Sequence, residues 1–409
     1  MVRIKNKKII LLNHDDIFNI FWNRYLIETS NLDRAQKLSK NYFYRYYIKF
    51  YLKFLIKELI SIISLLKINF YFFLNYSKNH IPKNIFLYTH YHQINKENEK
   101  NEYLRTGLFP MVSLRNFNNH IYKFLYYQEF LFVIFKSFLI YPYLIKNLER
   151  ACKIRNISFL NYLFFNNINL SSIIELNLLN ITLKKIDNIE SISCSSQFCP
   201  YLQLLSLFKI QNKKSKWILN LYQHGVYEID RLKREYIKVY ADNIFYKYSS
   251  SLNWLKLKYI FNKNCNFFRI EKINKQNFID LSKYTKGKLI AYASSGFFER
   301  DHIILRKLIS IQERKKDLSI IYYPHPEFVD KANEITRKYS SVKVSKYQRY
   351  RKINLLITGY SSIGLDYINL DVNVLFIPFD DSICAFKDKS LNVLMDLNFL
   401  DQEVDKLII

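Results

Sequence analysis

Histidines and serines in short polar turns are the side chains of this 409-residue sequence that are best placed to do chemistry. His325 lies between Pro324 and Pro326, and the two prolines limit the directions in which its imidazole can point. An imidazole held in this way can stabilise a departing phosphate by its charge or by a hydrogen bond. The alternative is a histidine that only packs in a turn, and the functional role is our prediction.

Two serine-glycine turns flank this histidine turn along the chain. Each offers hydroxyls and backbone N–H groups at the start of a predicted helix, where anions such as phosphates are favoured. Serines that only cap a helix are the alternative. Glu327 could contact a ribose or a base edge. The residues predicted to bind the donor and its phosphate are Ser294, Ser295, Gly296, His325, Pro326, Glu327, Gly359, Ser361 and Ser362.

Two further residues are candidates for proton transfer. His224, in Gln-His-Gly, could take a proton from an attacking hydroxyl, or it could be a satisfied histidine at a strand end. Asp15 could be a carboxylate that faces a cleft, although Asp15 or Asp16 could instead cap the following helix. No acidic metal motif is apparent, so we expect neither a metal nor a cofactor.

Short aliphatic runs that end in these turns must position the candidate residues. Helix-compatible segments separate the runs, a pattern typical of buried strands in a parallel sheet with helical crossovers. Ligands of such sheets bind beyond the carboxyl ends of the strands, where the polar turns lie. The predicted strands are Ile9–Asn13, Asn84–His90, Lys216–Tyr222, Lys288–Ala293, Leu318–Tyr323, Ile353–Ile357 and Val372–Ile377.

Other segments of the first 290 residues do not follow this pattern of strands, turns and helices. Ile157–Ile192 contains strand-like runs, and the polar stretch Lys263–Lys286 is predicted to be a linker. Tyr42–Leu74 is predicted to be an amphipathic helix, because lysines interrupt its aromatic residues. Phe124–Ile145 is the most apolar segment, and we expect a buried or membrane-skimming helix rather than a transmembrane one.

Composition bounds the class of protein. A chain of this length indicates two domains, and with 49% hydrophobic residues it can bury large cores. The net charge of +27 is spread along the chain rather than gathered in a basic tail. An anionic membrane surface or an anionic substrate fits this diffuse charge better than nucleic acid does. The odd number of cysteines, 5, without paired spacing indicates a reducing cytoplasm.

Three motifs in order carry a family resemblance over residues 190–380. Gln223-His224-Gly225, Pro324-His325-Pro326 and the segment Gly359–Tyr367 resemble motifs of bacterial GT-B glycosyltransferases of surface-polysaccharide assembly. This set includes CDP-glycerol glycerophosphotransferases of teichoic-acid synthesis, and sialyltransferases and Kdo transferases with His-Pro and Ser-Ser motifs. The resemblance implies that His325, Ser361 and Ser362 contact the phosphate of a cytidine-activated donor, and that His224 is a candidate base. The acidic-acidic-glycine motif of bacterial sialyltransferases is missing, since Ile17 follows Asp16.

The prediction is an α/β protein of GT-B type, with two Rossmann-like doubly wound domains facing across a cleft. Residues 1–265 would bind the acceptor glycan or glycolipid and carry extra helices, and residues 274–409 would bind the nucleotide. The predicted enzyme transfers a sialic acid- or Kdo-like sugar from a CMP-sugar without a metal, in the cytoplasm at the inner face of the membrane. A CDP-glycerol-type glycerophosphotransferase is the first alternative. A non-catalytic basic protein that binds nucleic acid or an anionic polymer is the second.

Overall fold

The computed structural model divides the chain into two α/β units. The residues it describes are 11–22, 25, 44, 48, 51–52, 54–56, 59, 63, 83–88, 102–105, 125–166, 168–186, 189–195, 200–211, 216–222, 237–246, 252, 256, 259–261, 264–270, 279–280, 287–294, 298–325, 329, 332–345, 351–359, 362–368, 370–378 and 391–408.

The first unit is built on a six-stranded sheet with the strand order β2-β1-β3-β4-β6-β8. Its strands are β1 (Asn84–Tyr88), β2 (Glu102–Arg105), β3 (Ser191–Ser195), β4 (Ile218–Tyr222), β5 (Ile237–Val239), β6 (Asn243–Tyr246), β7 (Tyr259–Phe261) and β8 (Asn266–Arg269). Its helices are α1 (residues 14–22), α2 (Tyr127–Ile154), α3 (Phe159–Asn166), α4 (Leu170–Lys185) and α5 (Pro200–Gln211). The pairs from β2 through β6 are parallel, and β5 and β7 form a separate parallel pair.

The start of the described chain differs from its prediction. Leu11, Leu12 and Asn13 are not in a strand, and α1 follows them directly. Asn13 caps this helix, because its Oδ1 accepts a hydrogen bond of 2.8 Å from the backbone N–H of Asp16, while Oδ2 of Asp16 accepts one of 3.3 Å from the N–H of Asn13. The expectation that Asp15 or Asp16 is the cap was therefore wrong.

Two other segments of the first unit also correct their predictions. The strand-like reading of residues 157–190 was wrong, because this part of the chain forms the helices α3 and α4. Every residue of α4 from Ser171 to Leu183 is buried, so the helix lacks the polar face that gives a helical period its signal. The stretch predicted as a linker contains β8, an edge strand of the first sheet.

The second unit is built on a parallel sheet with the strand order β12-β11-β10-β14-β15-β16. Its strands are β9 (Ile279–Asp280), β10 (Lys288–Ala293), β11 (Leu318–Tyr323), β12 (Val342–Val344), β13 (Arg351–Lys352), β14 (Leu355–Thr358), β15 (Asn373–Phe376) and β16 (Asn392–Val393). Its helices are α6 (Phe298–Arg314), α7 (Ala332–Lys338), α8 (Ser362–Ile368) and α9 (Leu400–Leu407), with a 3-10 turn at Leu397–Phe399. A parallel pair of β9 and β13 lies apart from the main sheet.

Hydrophobic cores cover both faces of the second sheet. Alternate residues of β10 point to opposite faces: Ile290 and Tyr292 pack with α6, α7 and α9, whereas Leu289 and Ala291 pack with α8. Strands covered on both faces must be apolar along their whole length, which explains the continuous aliphatic runs of the sequence. The structure confirms the predicted α/β class with two parallel sheets.

Candidate functional site

Three of the predicted turns of the second unit begin at one edge of its sheet. Ala293 is the register partner of both Tyr323 and Thr358, so β10, β11 and β14 end side by side. The next residues along these strands are Ser294, Pro324 and Gly359, and His325 follows directly. The backbone N–H of Ser294 donates to the carbonyl of Tyr323 at 2.9 Å, and Oγ1 of Thr358 donates to the carbonyl of Ala293 at 3.0 Å. The structure thus brings Ser294, His325 and Gly359 to the same edge.

Several predicted site residues lie outside the described part of the chain. They are His224, Ser295, Gly296, Pro326, Glu327 and Ser361. The backbone of Ser362 is described as the first residue of α8, but its side chain is not. The site can therefore be built from the ends of the strands, from His325 and from the first turn of α6.

Ser294 lies in a buried polar cluster that the sequence did not predict. Its Oγ donates a hydrogen bond of 2.6 Å to Oδ2 of Asp301. The hydroxyl of Tyr322 donates to the same oxygen at 2.6 Å, and the hydroxyl of Tyr292 donates to Oδ1 at 2.6 Å. Asp301 is only 1% exposed, so these three hydroxyls replace the water that a carboxylate would otherwise need.

Burial dominates the protonation behaviour of this cluster. Removal from water raises the pKa of Asp301, and the hydrogen bonds from Ser294, Tyr292 and Tyr322 counteract that rise. Burial, followed by the charge of Asp301, raises the pKa of both tyrosines. The two phenols therefore keep their protons and remain donors to the carboxylate. The Ser294 hydroxyl donates its hydrogen bond to Asp301. Its predicted contact with a phosphate stays a prediction.

Asp301 could have been suspected from two signals in the sequence. Tyr292 and Tyr322 interrupt otherwise aliphatic buried strands, and the register of β10 with β11 makes them direct neighbours. Asp301 falls in the first turn of the following helix, where an acidic residue also suits the helix dipole. Only the fold shows that the three side chains converge.

Arg300 adds a positive charge at the same edge. One of its terminal guanidinium nitrogens, Nη2, donates to the carbonyl of Pro378 and, at 3.4 Å, to that of Ile377. These carbonyls follow β15, so the arginine ties the start of α6 to the chain beyond a strand that lies two positions from β10 in the sheet. A guanidinium stays charged at every relevant pH, and it suits a site for an anionic ligand. The sequence prediction missed this residue.

Gly364 permits the close approach of α8 to the sheet. A Cβ atom at this position would lie 2.5 Å from Cε1 and 2.7 Å from Cζ of the Phe376 ring. Phe376 is only 1% exposed and is part of the core on this face of the sheet. Asp366, in the same helix, is also buried.

Asp15, the candidate carboxylate of the first unit, lies at the start of α1. Its side chain is 72% exposed, and Nε2 of His14 lies 3.6 Å from its Oδ2. These surroundings do not distinguish Asp15 from an ordinary surface carboxylate, and its catalytic role stays a prediction. Among the described residues, no group of three or more His, Cys, Asp and Glu side chains could hold a metal ion.

One family model matches the chain, and it covers the site. The family is described as CDP-glycerol:poly(glycerophosphate) glycerophosphotransferase, and the match spans residues 291–388. This segment begins within β10, contains all three turns of the edge and extends beyond β15. No curated protein matches the chain significantly.

Comparison with solved structures gives matches of low identity. The glycosylation-associated Gap123 complex from Streptococcus agalactiae matches with a TM-score of 0.34 and 11% identity, over 59% of this chain and 52% of that one. This chain therefore spans about half the length of that structure. MnaA of S. aureus with UDP matches with a TM-score of 0.38 and 12% identity, over 57% and 69% of the two chains. The wall teichoic acid polymerase TagF with CDPG matches with a TM-score of 0.35 and 14% identity, over 59% and 66%.

The family match bears on the predicted donor. It supports a transferase of cell-surface polymer synthesis, and it favours the glycerophosphotransferase alternative over transfer of a sialic acid- or Kdo-like sugar. The matched family is a family of enzymes, so the match also disfavours the non-catalytic alternative.

Proposed function

We propose that this protein is a CDP-glycerol-type glycerophosphotransferase of bacterial surface-polymer synthesis. The proposal is supported mainly by one observation: the family match over residues 291–388 covers the edge at which Ser294, His325 and Gly359 meet. His325 and Gly359, which belong to two of the motifs that resemble the family, follow strands that end at the same edge of the sheet, where parallel sheets bind their ligands.

In the proposed reaction, a hydroxyl oxygen of the acceptor polymer attacks the phosphorus that carries the glycerol of CDP-glycerol. The new P–O bond joins glycerol phosphate to the acceptor, the P–O bond to the cytidylate breaks, and CMP leaves with the bonding electron pair. The acceptor's proton goes to a general base, for which His224 is the candidate given by the family resemblance. Ser361 and Ser362 would contact the donor phosphate, as the same resemblance implies.

The described residues have distinct roles in this scheme. His325 would donate a hydrogen bond to the phosphate of the departing CMP, which stabilises the charge that develops there. Arg300 would contribute a fixed positive charge beside the donor diphosphate. Asp301 would act as a positioning residue, because it holds the start of the turn after β10 through the Ser294 hydroxyl. The chain's own cations would then meet the charge of the diphosphate, and no metal is required.

Donor competition tests this proposal. The purified protein is incubated with a glycerol phosphate-primed lipid acceptor and one of CDP-glycerol, CMP-sialic acid or CMP-Kdo, and CMP release and acceptor extension are measured. We expect turnover with CDP-glycerol alone. Turnover with a CMP-sugar alone would restore the sugar-transfer prediction at the same site, and nucleotide-free binding of nucleic acid with a steep salt dependence would favour a binding protein.

A matched pair of histidine variants tests the site. His325→Ala should reduce transfer by about a hundredfold or more, the range for loss of one stabilising hydrogen bond to a developing charge. His302→Ala is the control, because this histidine of α6 contacts the Tyr339 hydroxyl at 3.2 Å and is not among the residues predicted to bind the donor. Equal activity of the two variants would contradict the role of His325.

A further inference from the structure

Helix α2 of the first unit exposes a broad apolar face. The exposed residues recur at helical spacing, so they lie on one side of the helix: Leu131, Phe132, Phe135, Phe138, Leu139, Pro142 and Tyr143. Phe135 is 64% exposed, Phe138 62% and Tyr143 69%. Large aromatic side chains gathered at such exposure mark an interaction surface.

The opposite face of α2 is packed within the first unit. Val133, Ser137, Leu144 and Leu148 are all buried, and the amide of Asn177 in α4 donates to the Ser137 hydroxyl at 3.1 Å. A half-buried ion pair between Lys185 and Glu129 joins the two helices at the start of α2. The helix therefore lies fixed on the surface of an α/β unit, with one side in the core and the other outside.

The exposed face becomes cationic after Tyr143. Lys146, Arg150 and Lys153 continue the same side of the helix and are exposed, with Glu149 as the one acidic residue among them. The helix is therefore amphipathic around its circumference, and its exposed face also changes along the helix axis from an aromatic first half to a basic second half. Helices of this type lie in the interface of a bilayer, with the rings among the acyl chains and the cations at anionic headgroups.

A second set of exposed apolar residues belongs to the same unit. The described residues between positions 44 and 63 are helical, and their exposed members recur at spacings of three and four: Tyr44, Ile48, Tyr51, Leu52, Leu55, Ile56, Leu59 and Ile63. The rings of Tyr51 and Phe54 contact that of Phe164 in α3, with centroids 5.4 and 5.3 Å apart. Two neighbouring parts of the first unit therefore expose apolar side chains.

We propose that the exposed face of α2 binds the surface of an anionic lipid bilayer and holds the protein there as a peripheral membrane protein. Among the described residues, α2 is the one helix long and apolar enough to cross a membrane by length and composition. A spanning helix is not compatible with its packing, because its other face is buried against α4. The basic half of the face selects anionic headgroups.

Charge argues against a second copy of the chain as the occupant. Two copies would bring together molecules that each carry a net charge of +27, whereas a surface rich in anionic lipid has the complementary sign. The inference does not depend on the donor or on the transfer reaction, so it stands or fails separately from the proposed function.

Vesicle flotation tests the inference. Full-length protein is mixed with vesicles of phosphatidylglycerol and phosphatidylcholine, or of phosphatidylcholine alone, and the membrane-bound fraction is measured. We expect strong binding to the anionic vesicles only. The double variant Phe135→Glu/Phe138→Glu should lower the partition coefficient by roughly a hundredfold, the equivalent of removing two phenyl rings from an apolar environment. Neutralisation in Lys146→Gln/Arg150→Gln should lower it by roughly thirtyfold on anionic vesicles.

A matched control is available on the second unit. Ile303 and Phe399 are 50% and 51% exposed, and Ile303→Glu/Phe399→Glu introduces the same charges at exposed apolar residues that do not belong to α2. This variant should bind vesicles like the wild type. Unchanged binding by Phe135→Glu/Phe138→Glu would overturn the proposal. The proposal would also be overturned if the wild type failed to bind vesicles but formed a dimer in sedimentation velocity, and if Phe135→Glu/Phe138→Glu dissociated that dimer.

Discussion

Oγ of Ser294, the first residue after β10, donates a hydrogen bond of 2.6 Å to Oδ2 of Asp301 in the first turn of α6. This bond closes the strand-to-helix turn from inside the protein, because both side chains are buried. The tyrosines of β10 and β11 donate to the same carboxylate and bring the two neighbouring strands into the cluster. The start of the candidate site therefore depends on a buried charge as well as on aliphatic packing.

Asp301→Ala should destabilise the protein strongly. The substitution removes the acceptor of three buried hydroxyls, which can rotate but have no water to receive their protons. We expect a loss of about 3 kcal/mol in the free energy of unfolding. Urea unfolding followed by circular dichroism measures it. Glu313→Ala, at an exposed position of the same helix, is the control and should change stability by less than about 0.5 kcal/mol.

The stability of the wild type should depend on pH through Asp301. Burial raises the folded-state pKa of this carboxyl above its ordinary value of 3.8. The folded state then binds the proton more tightly than the unfolded state, so this contribution to stability is complete below pH 3.8 and is lost as pH rises through the folded pKa.

Comparison with Asp301→Asn isolates that contribution, because the variant cannot titrate at this position. The free energy of unfolding of the wild type minus that of Asp301→Asn should decrease as pH rises from about 3.8, and then become constant above the folded pKa. Urea unfolding of both proteins at a series of pH values measures the difference. A difference that grows with pH would mean that the three hydroxyls outweigh burial and lower the pKa instead.

Gly364→Ala should destabilise the second unit by about 1–3 kcal/mol, the usual cost of overpacking. The added methyl carbon would lie 2.5 Å from the Phe376 ring, which is buried and cannot move aside. Thermal unfolding of the two proteins measures the loss.

A double-mutant cycle separates this clash from other effects. Phe376→Leu shortens the side chain that the new methyl group meets, so Gly364→Ala should cost less in the Phe376→Leu background than in the wild type. The same cost in both backgrounds would show that the helix, rather than the ring, resists the change.

The strands of the second unit could be predicted from the sequence because each buried strand is a continuous run of apolar residues. The apolar runs of β10, β11 and β14 are covered on both faces, and the polar turns come directly after them. That Ser294, His325 and Gly359 meet at one edge follows from parallel strands, a property of the fold class.

The failures have physical reasons as well. Helix α4 is buried all round, so its apolar residues carry no period that could distinguish it from a strand. Asn13 caps α1 through a reciprocal pairing with Asp16. Asn and Asp are about equally favoured as caps, so the residue types alone did not show where the helix begins. The cluster around Asp301 depends on the register of two strands, which the sequence does not encode locally.

Cys152 should be unreactive towards thiol reagents in the native protein. Burial raises the pKa of its thiol to about 11, from an ordinary value of 9.0, so the thiolate fraction at neutral pH is about a hundredfold lower than for an exposed cysteine. Maleimide labelling followed by peptide mass spectrometry should find Cys152 unmodified in buffer and modified in urea. Rapid native labelling would contradict its burial on the inner face of α2.

Arg300 gives a last prediction, which rests on the proposed function. Its guanidinium donates hydrogen bonds to the carbonyls of Ile377 and Pro378, and it also places a positive charge at the edge of the site. The experiment must therefore separate a structural role from an electrostatic one. Arg300→Lys keeps the charge but loses the planar fork, whereas Arg300→Met loses both.

Both Arg300 variants should therefore lose a similar amount of stability, about 1 kcal/mol, because both disrupt the bonds to the carbonyls. Binding of CDP-glycerol, measured by calorimetry, should weaken by about tenfold in Arg300→Met and by much less in Arg300→Lys, since only the methionine removes the positive charge that faces the diphosphate. Equal weakening in both variants would mean that Arg300 only holds the chain beyond β15. Unchanged binding in both would place the diphosphate elsewhere, because a charge fixed at this edge cannot be removed without effect on an anion bound there.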